Sequence, residues 1–336
     1  MKKVFLILMV LALAVSFVAA SGSKEAAADT SRSVANVDTN TVAVGAVVIV
    51  RDDVPTDEVY AIVKSIFDNK AAIAGQHAKG NELDLAFASS VSAVPYHPGA
   101  AKYFAEKGYN VASVKSGAGN GKVSSLNFGT GGDTGTYYGF GSVLAGYVTK
   151  NTPYSVTAVT SGGSKANIED LSANDVQLGF VQSDVMSYAY NGERLFTSPV
   201  KGFSVVAALY MEQVQIVTTK SDIASGADLK GRSVSIGAIG SGVYFNAIDV
   251  LDAYGLTEKD VKAVYQSFGD SADSLKDGKI DAAFIVAGAP TTAITDLATA
   301  KTVYLVNIDD AHADKLISAS PFYSKYTIPA GTYGSK

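Results

Sequence analysis

Strand-like runs recur along this chain. Each is followed by a small-residue turn and then a run whose apolar positions recur at helical spacing, the order of parallel β/α units. The sharpest case is VSSLNFGTGGDTGTYYGFGSVLAGYVTK, residues 123–150. Residues 123–128 alternate apolar and polar side chains, Gly129, Gly131, Gly132 and Gly135 free the backbone, and Tyr137 opens the helical run. The pattern then repeats: a strand over 154–159, the turn Thr160-Ser161-Gly162-Gly163-Ser164, and a strand over 176–181 ending in Gln182-Ser183-Asp184. It restarts at residue 227 with a strand over 233–236, the turn GAIGSG and a helix over 243–254 stopped by Gly255. A strand over 263–266, a short helix in SADSLKDGKID ended by Gly278, and the buried strand of AAFIVAGAPTTAI follow, with Pro290 and Thr291 entering another helix.

The remaining segments frame these units. TVAVGAVVIV, residues 41–50, predicts a strand buried on both faces. Pro55 and Thr56 start a helix with Val59, Ile62, Val63, Ile66 and Phe67 on one face, and a second helix is bounded by Pro98 and Gly108. FSVVAALYMEQVQIVTTK, residues 203–220, is too long for one ordinary strand and predicts two strands passing through a hinge near Met211-Glu212-Gln213. VYLVNID predicts the last clear strand, and PFYSKYTIPAGTY an aromatic loop.

The start of the chain changes the picture. Met1-Lys2-Lys3 followed by apolar residues to Ala20 has the layout of a secretory signal peptide over residues 1–20, which implies export to the periplasm. Residues 21–40 are small and polar and predict a tether. The roughly 300 residues left suffice for two lobes of ordinary domain size, expected at 41–210 and 211–333 with a linker at 113–122. With no cysteine, an exported chain has no disulfide to staple it. A formal net charge of −5 argues against nucleic acid as a partner. An anionic ligand would therefore be captured by local dipoles, not by the global field.

Candidate chemistry centres on the glycine-rich turns. A helix N-terminus presents unpaired N–H groups and partial positive charge, so a carboxylate or phosphate can dock there without arginine. Three readings of GTGGDTG stand open: a dinucleotide fingerprint, an organic-anion pocket and a plain tight turn. Against the first, about 20 residues on, where that fold places an acid, stands Lys150. Parallel units set such turns at the carboxyl ends of adjacent strands, so all three turns of the first lobe should line one crevice, which favours the pocket. Capping remains an alternative role for Ser161, Ser164 and Ser183. Gly121-Lys122 imitates a phosphate loop, but Ser116 stands where a glycine is required and Val123 where a Ser or Thr is. The chain has no G-x-S-x-G or H-E-x-x-H, and His77 and His97 lack partners at metal-ligand spacing. No catalysis, cofactor or metal is expected.

The segments GTGGDTGTYYGFG, TSGGSKANI, LGFVQSDV, SLKDGKIDAAFIVAGAP and PFYSKYTIPAGTY together resemble the TAXI family of solute-binding proteins, extracytoplasmic receptors of TRAP-type transporters. The resemblance implies a hinged α/β fold of the type II periplasmic-binding-protein class, two lobes closing on glutamate or a dicarboxylate such as 2-oxoglutarate. It further implies a monomer that delivers its ligand to TRAP membrane subunits without enzymatic chemistry. Carried over position by position, the ligand-binding candidates are Thr134, Gly135, Tyr137 and Tyr138, then Ser161, Gly162 and Ser164, then Gln182, Ser183 and Asp184. The second lobe adds Ser241, Gly242, Gly288, Pro290 and Thr291. Asp184 would accept from a ligand ammonium, or else cap a helix. The alternative is an exported enzyme using the glycine-rich turn for a nucleotide or phosphate ester.

The order departs from the family. TVAVGAVVIVRDDVPTDEVYAIVKSIFDN and YHPGAAKYFAEKGY resemble its carboxyl-terminal end, yet here they precede the first glycine-rich strand. Circular permutation accounts for this, with old ends joined through SGAGNGK and new ends between Tyr333 and about Ser33. Ser31-Arg32 and Gly334-Ser335-Lys336 resemble cloning junctions, so an engineered and a natural origin both stay open.

Overall fold

The computed structural model describes residues 30–113, 119 and 125–334. The expected signal segment, the first part of the tether and most of the linker at 113–122 lie outside the described residues.

Among the described residues ten strands form one mixed sheet. In chain order they are β1 (Thr39–Arg51), β2 (Ser125–Gly129), β3 (Ser155–Val159), β4 (Leu178–Gln182) and β5 (Phe203–Thr218). Then come β6 (Ser233–Ser235), β7 (Lys262–Val264), β8 (Ala282–Ala287), β9 (Tyr304–Leu305) and β10 (Ser324–Ile328). Their order across the sheet is β3-β2-β4-β1-β5-β8-β6-β7, with β9 on β5 and β10 on β1. Strands β2, β3 and β4 are parallel, as are β6, β7 and β8, whereas β1 and β5 run antiparallel to their neighbours. The helices are α1 (Thr56–Asp68), α2 (Lys70–Ala74), α3 (Leu85–Ala88), α4 (Pro98–Glu106), α5 (Thr136–Asn151) and α6 (Ser164–Ala173). After them follow α7 (Ser183–Asn191), α8 (Val243–Ala253), α9 (Phe268–Lys276), α10 (Thr292–Ala300) and α11 (Asp310–Ala319).

Two groups of parallel β/α units make two lobes. Ala46 to Val50 of β1, Phe203 and Val205 to Tyr210 of β5, and the apolar faces of α1, α4, α5 and α7 bury into one core. Val42 and Val44 of β1 and Val214 and Ile216 of β5 bury into the other, with α8 and β8. Both long strands therefore cross from lobe to lobe, near Gly45 and near Glu212. The pairs Ala43–Gln213, Val44–Glu212 and Gly45–Met211 keep the ladder unbroken at the crossing.

This corrects four expectations. Residues 203–220 do not hold two strands: β5 is one 16-residue strand, because β1 and β8 continue its hydrogen bonding on either side of Met211-Glu212-Gln213. The first lobe does not begin at residue 41, since the start of β1 belongs to the second core. PFYSKYTIPAGTY is no mere loop either, because it supplies β10, paired with residues Thr39 to Ala43. The expected tether of 21–40 likewise ends early, because Ser33 and Val34 are buried and the Val34 N–H donates to the Val303 carbonyl at 3.0 Å.

Candidate functional site

The strand-turn-helix order of three of these units sets a helix N-terminus at the space between lobes. Helices α5, α6 and α8 begin behind Gly135, Gly163 and Gly242, and none of the three has a side-chain cap. Those glycines line an interlobe cavity, joined by Ser267 and Phe268 at the start of α9. The cavity is about 90 Å³. At roughly 10–15 Å³ per water-sized position, that admits roughly six to nine such groups, the scale of a small organic molecule.

Two glycines are demanded by local geometry. Gly163 sits at φ 101°, a left-handed conformation costly for a residue with Cβ, and it turns the chain into α6. Gly242 is packed so closely that a Cβ would lie 1.7 Å from Gln182 Oε1 and 2.9 Å from Ser164 Oγ across the lobe interface.

Of the expected site residues, Gly135, Tyr137, Ser161, Gly162, Ser164, Gln182, Ser241 and Gly242 line the cavity. The others are set around it. The Thr134 carbonyl accepts from the Ala293 N–H at 3.3 Å, and the Gly288 carbonyl accepts from Thr136 Oγ1 at 2.8 Å, so both join the lobes at the cavity's edge. Tyr138 is half-buried and its carbonyl accepts from Ser142 Oγ. Ser183 Oγ accepts from the Gly45 N–H at 3.1 Å, on a different groove that borders the crossing strands. Pro290 is exposed, and Thr291 Oγ1 accepts from Gln215 Nε2 at 3.2 Å behind the wall. Asp184 is fully buried but outside the lining, where Asn246 Nδ2 donates to its Oδ2 at 3.0 Å, and burial pushes its carboxyl up to about 7. Its contact is thus with the second lobe's α8.

Sequence reasoning placed Gly131, Gly132, Gly163 and Ala238 in the candidate turns without naming them as ligand contacts, and passed over Val243, Gln266, Ser267, Phe268, Val286, Ala287 and, above all, Glu212 as site residues. A lone acid inside a largely apolar run was the available signal for Glu212. The residue is 2% exposed, and Oε2 accepts from the Tyr137 hydroxyl at 2.6 Å. Burial pushes it up to about 8, partly countered by the Tyr137 hydrogen bond. Tyr137 is held in turn by stacking on Phe180, with ring centroids 4.6 Å apart. Among the described residues no lysine, arginine or histidine lines the cavity. His97 and His77 lie elsewhere, each accepting a backbone N–H at the start of a helix or 3₁₀ turn.

Beside the cavity a polar chain ties the lobes. Gln182 Nε2 donates to Asn246 Oδ1 at 3.0 Å, and Asn246 Nδ2 donates to Asp184 and to the Tyr323 hydroxyl. Tyr323 donates to Asp249 Oδ2 at 2.8 Å, and Asp249 Oδ1 pairs with Arg194 Nη1 at 2.8 Å. The Ala166 N–H of α6 donates to the Gly240 carbonyl of the opposite lobe at 3.1 Å. The lobes are closed.

Fold and cavity together define a two-lobed α/β protein with an interlobe site built from helix N-termini and one buried carboxyl. The chain belongs to the NMT1-like family, whose model matches residues 24–108 and 128–336. Among solved structures, it is similar to the alkanesulfonate-binding protein SsuA from Xanthomonas axonopodis pv. citri bound to MOPS, at 18% identity and TM-score 0.39. That match covers 55% of this chain and 61% of the other. An ancestral arginine-binding protein bound to arginine matches at 17% identity over 55% of this chain and 79% of that one, with TM-score 0.40. The GluR0 ligand-binding core with L-glutamate matches at 10% identity over 59% and 93%, with TM-score 0.37. The chain thus spans less than two thirds of the length of the sulfonate-binding protein it matches.

Proposed function

We propose that this chain is an extracytoplasmic solute-binding receptor that closes two lobes on a small organic anion, glutamate or a related dicarboxylate such as 2-oxoglutarate. It would hand the ligand to a TRAP-type permease and carry out no chemistry itself. The observation that carries this reading is the convergence of three helices, each opened by an uncapped glycine, on one cavity between closed lobes. Backbone N–H groups and the hydroxyls of Ser161, Ser164 and Ser241 would hold carboxylate oxygens there. Among the described residues no helix is long and apolar enough to cross a membrane. Export would rest on residues 1–20, and the receptor would act in the periplasm as a monomer.

Circular permutation is part of the proposal. It is supported by the closeness of the first and last described segments: the Gly331 N–H donates to the Val34 carbonyl at 3.0 Å, and the Ala330 N–H to Asp38 Oδ1 at 2.8 Å.

Calorimetric titration of the chain lacking residues 1–20 tests the function. Micromolar or tighter binding of a small carboxylate is expected, and binding of a nucleotide in its place would overturn the reading.

A further inference from the structure

A buried carboxyl inside a site built for anions calls for an explanation. Glu212 stands at the point where β5 crosses between lobes, with its side chain on the cavity and one oxygen bound by Tyr137. The charged and titratable groups around it do not neutralise it. Lys79 is the nearest cation by effect, but its ammonium pairs with Glu82, lies 5.4 Å from the Tyr210 ring centroid, and does not line the cavity. Asp184, on α7, opposes ionisation, and Tyr137 and Tyr210 are themselves held in the neutral form by burial. Arg194 is committed to Asp249. Among the described residues no cation pairs with this carboxyl, and Lys79 offsets its burial only as the smallest of the influences on it, while the helix N-termini already supply the complement for an anion. The missing charge is a cation, and the ligand can bring it.

We propose that the cavity is specific for a zwitterionic amino acid, whose ammonium is bound by the Glu212 carboxylate while its carboxylate lies at the glycine-opened helix N-termini. This rests on the receptor reading above and narrows its ligand class, moving to Glu212 the role the sequence suggested for Asp184. Binding is then coupled to a proton: the empty protein holds Glu212 protonated at neutral pH, and the ammonium displaces that proton to solvent. An oxo acid of the same skeleton has no ammonium to offer and gains nothing from ionising Glu212.

The test is calorimetry of the full mature chain with L-glutamate, L-glutamine and L-leucine against 2-oxoglutarate and succinate, from pH 6 to pH 8, in buffers of different ionisation enthalpy. The proposal expects an amino acid to bind about tenfold tighter at pH 7 than at pH 6, releasing close to one proton. In Glu212→Gln, which keeps the shape and the Tyr137 contact, the pH slope should vanish and amino-acid affinity fall about 10- to 100-fold. An amino acid that binds with flat pH dependence and no proton release would overturn this inference and leave the receptor reading standing. So would 2-oxoglutarate or succinate binding as tightly as any amino acid. Silence from every compound in a cooperatively folded sample would overturn both.

Discussion

Gly242 shows how much of this site depends on a missing side chain. A Cβ there would overlap the Gln182 amide and crowd Ser164 Oγ across the lobe interface, so Gln182 must move and give up its bond to Asn246 in the opposite lobe. Gly242→Ala should leave both cores intact, with unchanged far-UV circular dichroism, yet weaken ligand binding about tenfold or more, since the closed state becomes a minor population. Titration calorimetry beside scattering of the ligand-free protein checks this. The glycines and serines of the turns were legible because small residues between a strand and a helix have few other uses. Ser183 and Asp184 were expected in the same wall as Gln182, but α7 starts directly at Ser183 with no intervening loop, which carries both side chains off the cavity. Glu212 was visible as a residue but not as a site, because sequence alone does not show which face of a doubly buried strand meets a cavity.

At the scale of elements, β1 and β5 form the hinge, and the polar chain from Gln182 to Arg194 is its latch. Arg194 reaches from the loop after α7 to Asp249 on α8, and its guanidinium lies over the rings of Tyr188 and Phe245. It holds φ 56°, a left-handed conformation that costs a non-glycine residue about 1 kcal/mol, offset here by these contacts. Arg194→Met should shift the ligand-free protein toward open lobes and weaken binding about five- to tenfold. A larger radius of gyration, reversed by saturating ligand, would be the sign. The parallel units were readable from their alternation of strand, turn and helix, and α1, α4 and α8 lie close to where periodicity and punctuation place them. The role of β1 was not readable: a valine-rich run declares burial but not that its two halves bury in different lobes. The short strand β10 was hidden for a related reason, since Ser324–Ile328 is polar and half-exposed and gains its conformation from pairing with β1.

The whole molecule is a closed two-lobed body in which both ends of the described chain meet. Residues 33–38 and 330–334 are hydrogen-bonded neighbours, so the cut that the proposed permutation requires would interrupt no core element. A chain reordered to run from residue 125 to Tyr333, through a short linker to Ser33 and on to residue 112, should fold cooperatively and unfold within about 5 °C of the original. Failure to fold would refute the permutation. The proposed permutation rests on the order of the family-like segments, read from the sequence, whereas the proximity of the ends needed three dimensions. The identity of the ligand stayed hidden for a chemical reason: in the proposed site backbone N–H groups would hold the carboxylate, and they leave no side-chain code.

The most direct measurement is calorimetric titration of the chain lacking residues 1–20 with L-glutamate and then 2-oxoglutarate, beside a panel of nucleotides. Saturable one-to-one binding of a small carboxylate at micromolar affinity or better, with lobe closure seen by scattering, is the predicted result. A cooperatively folded chain that binds no carboxylate, or that binds a nucleotide in its place, would contradict the account.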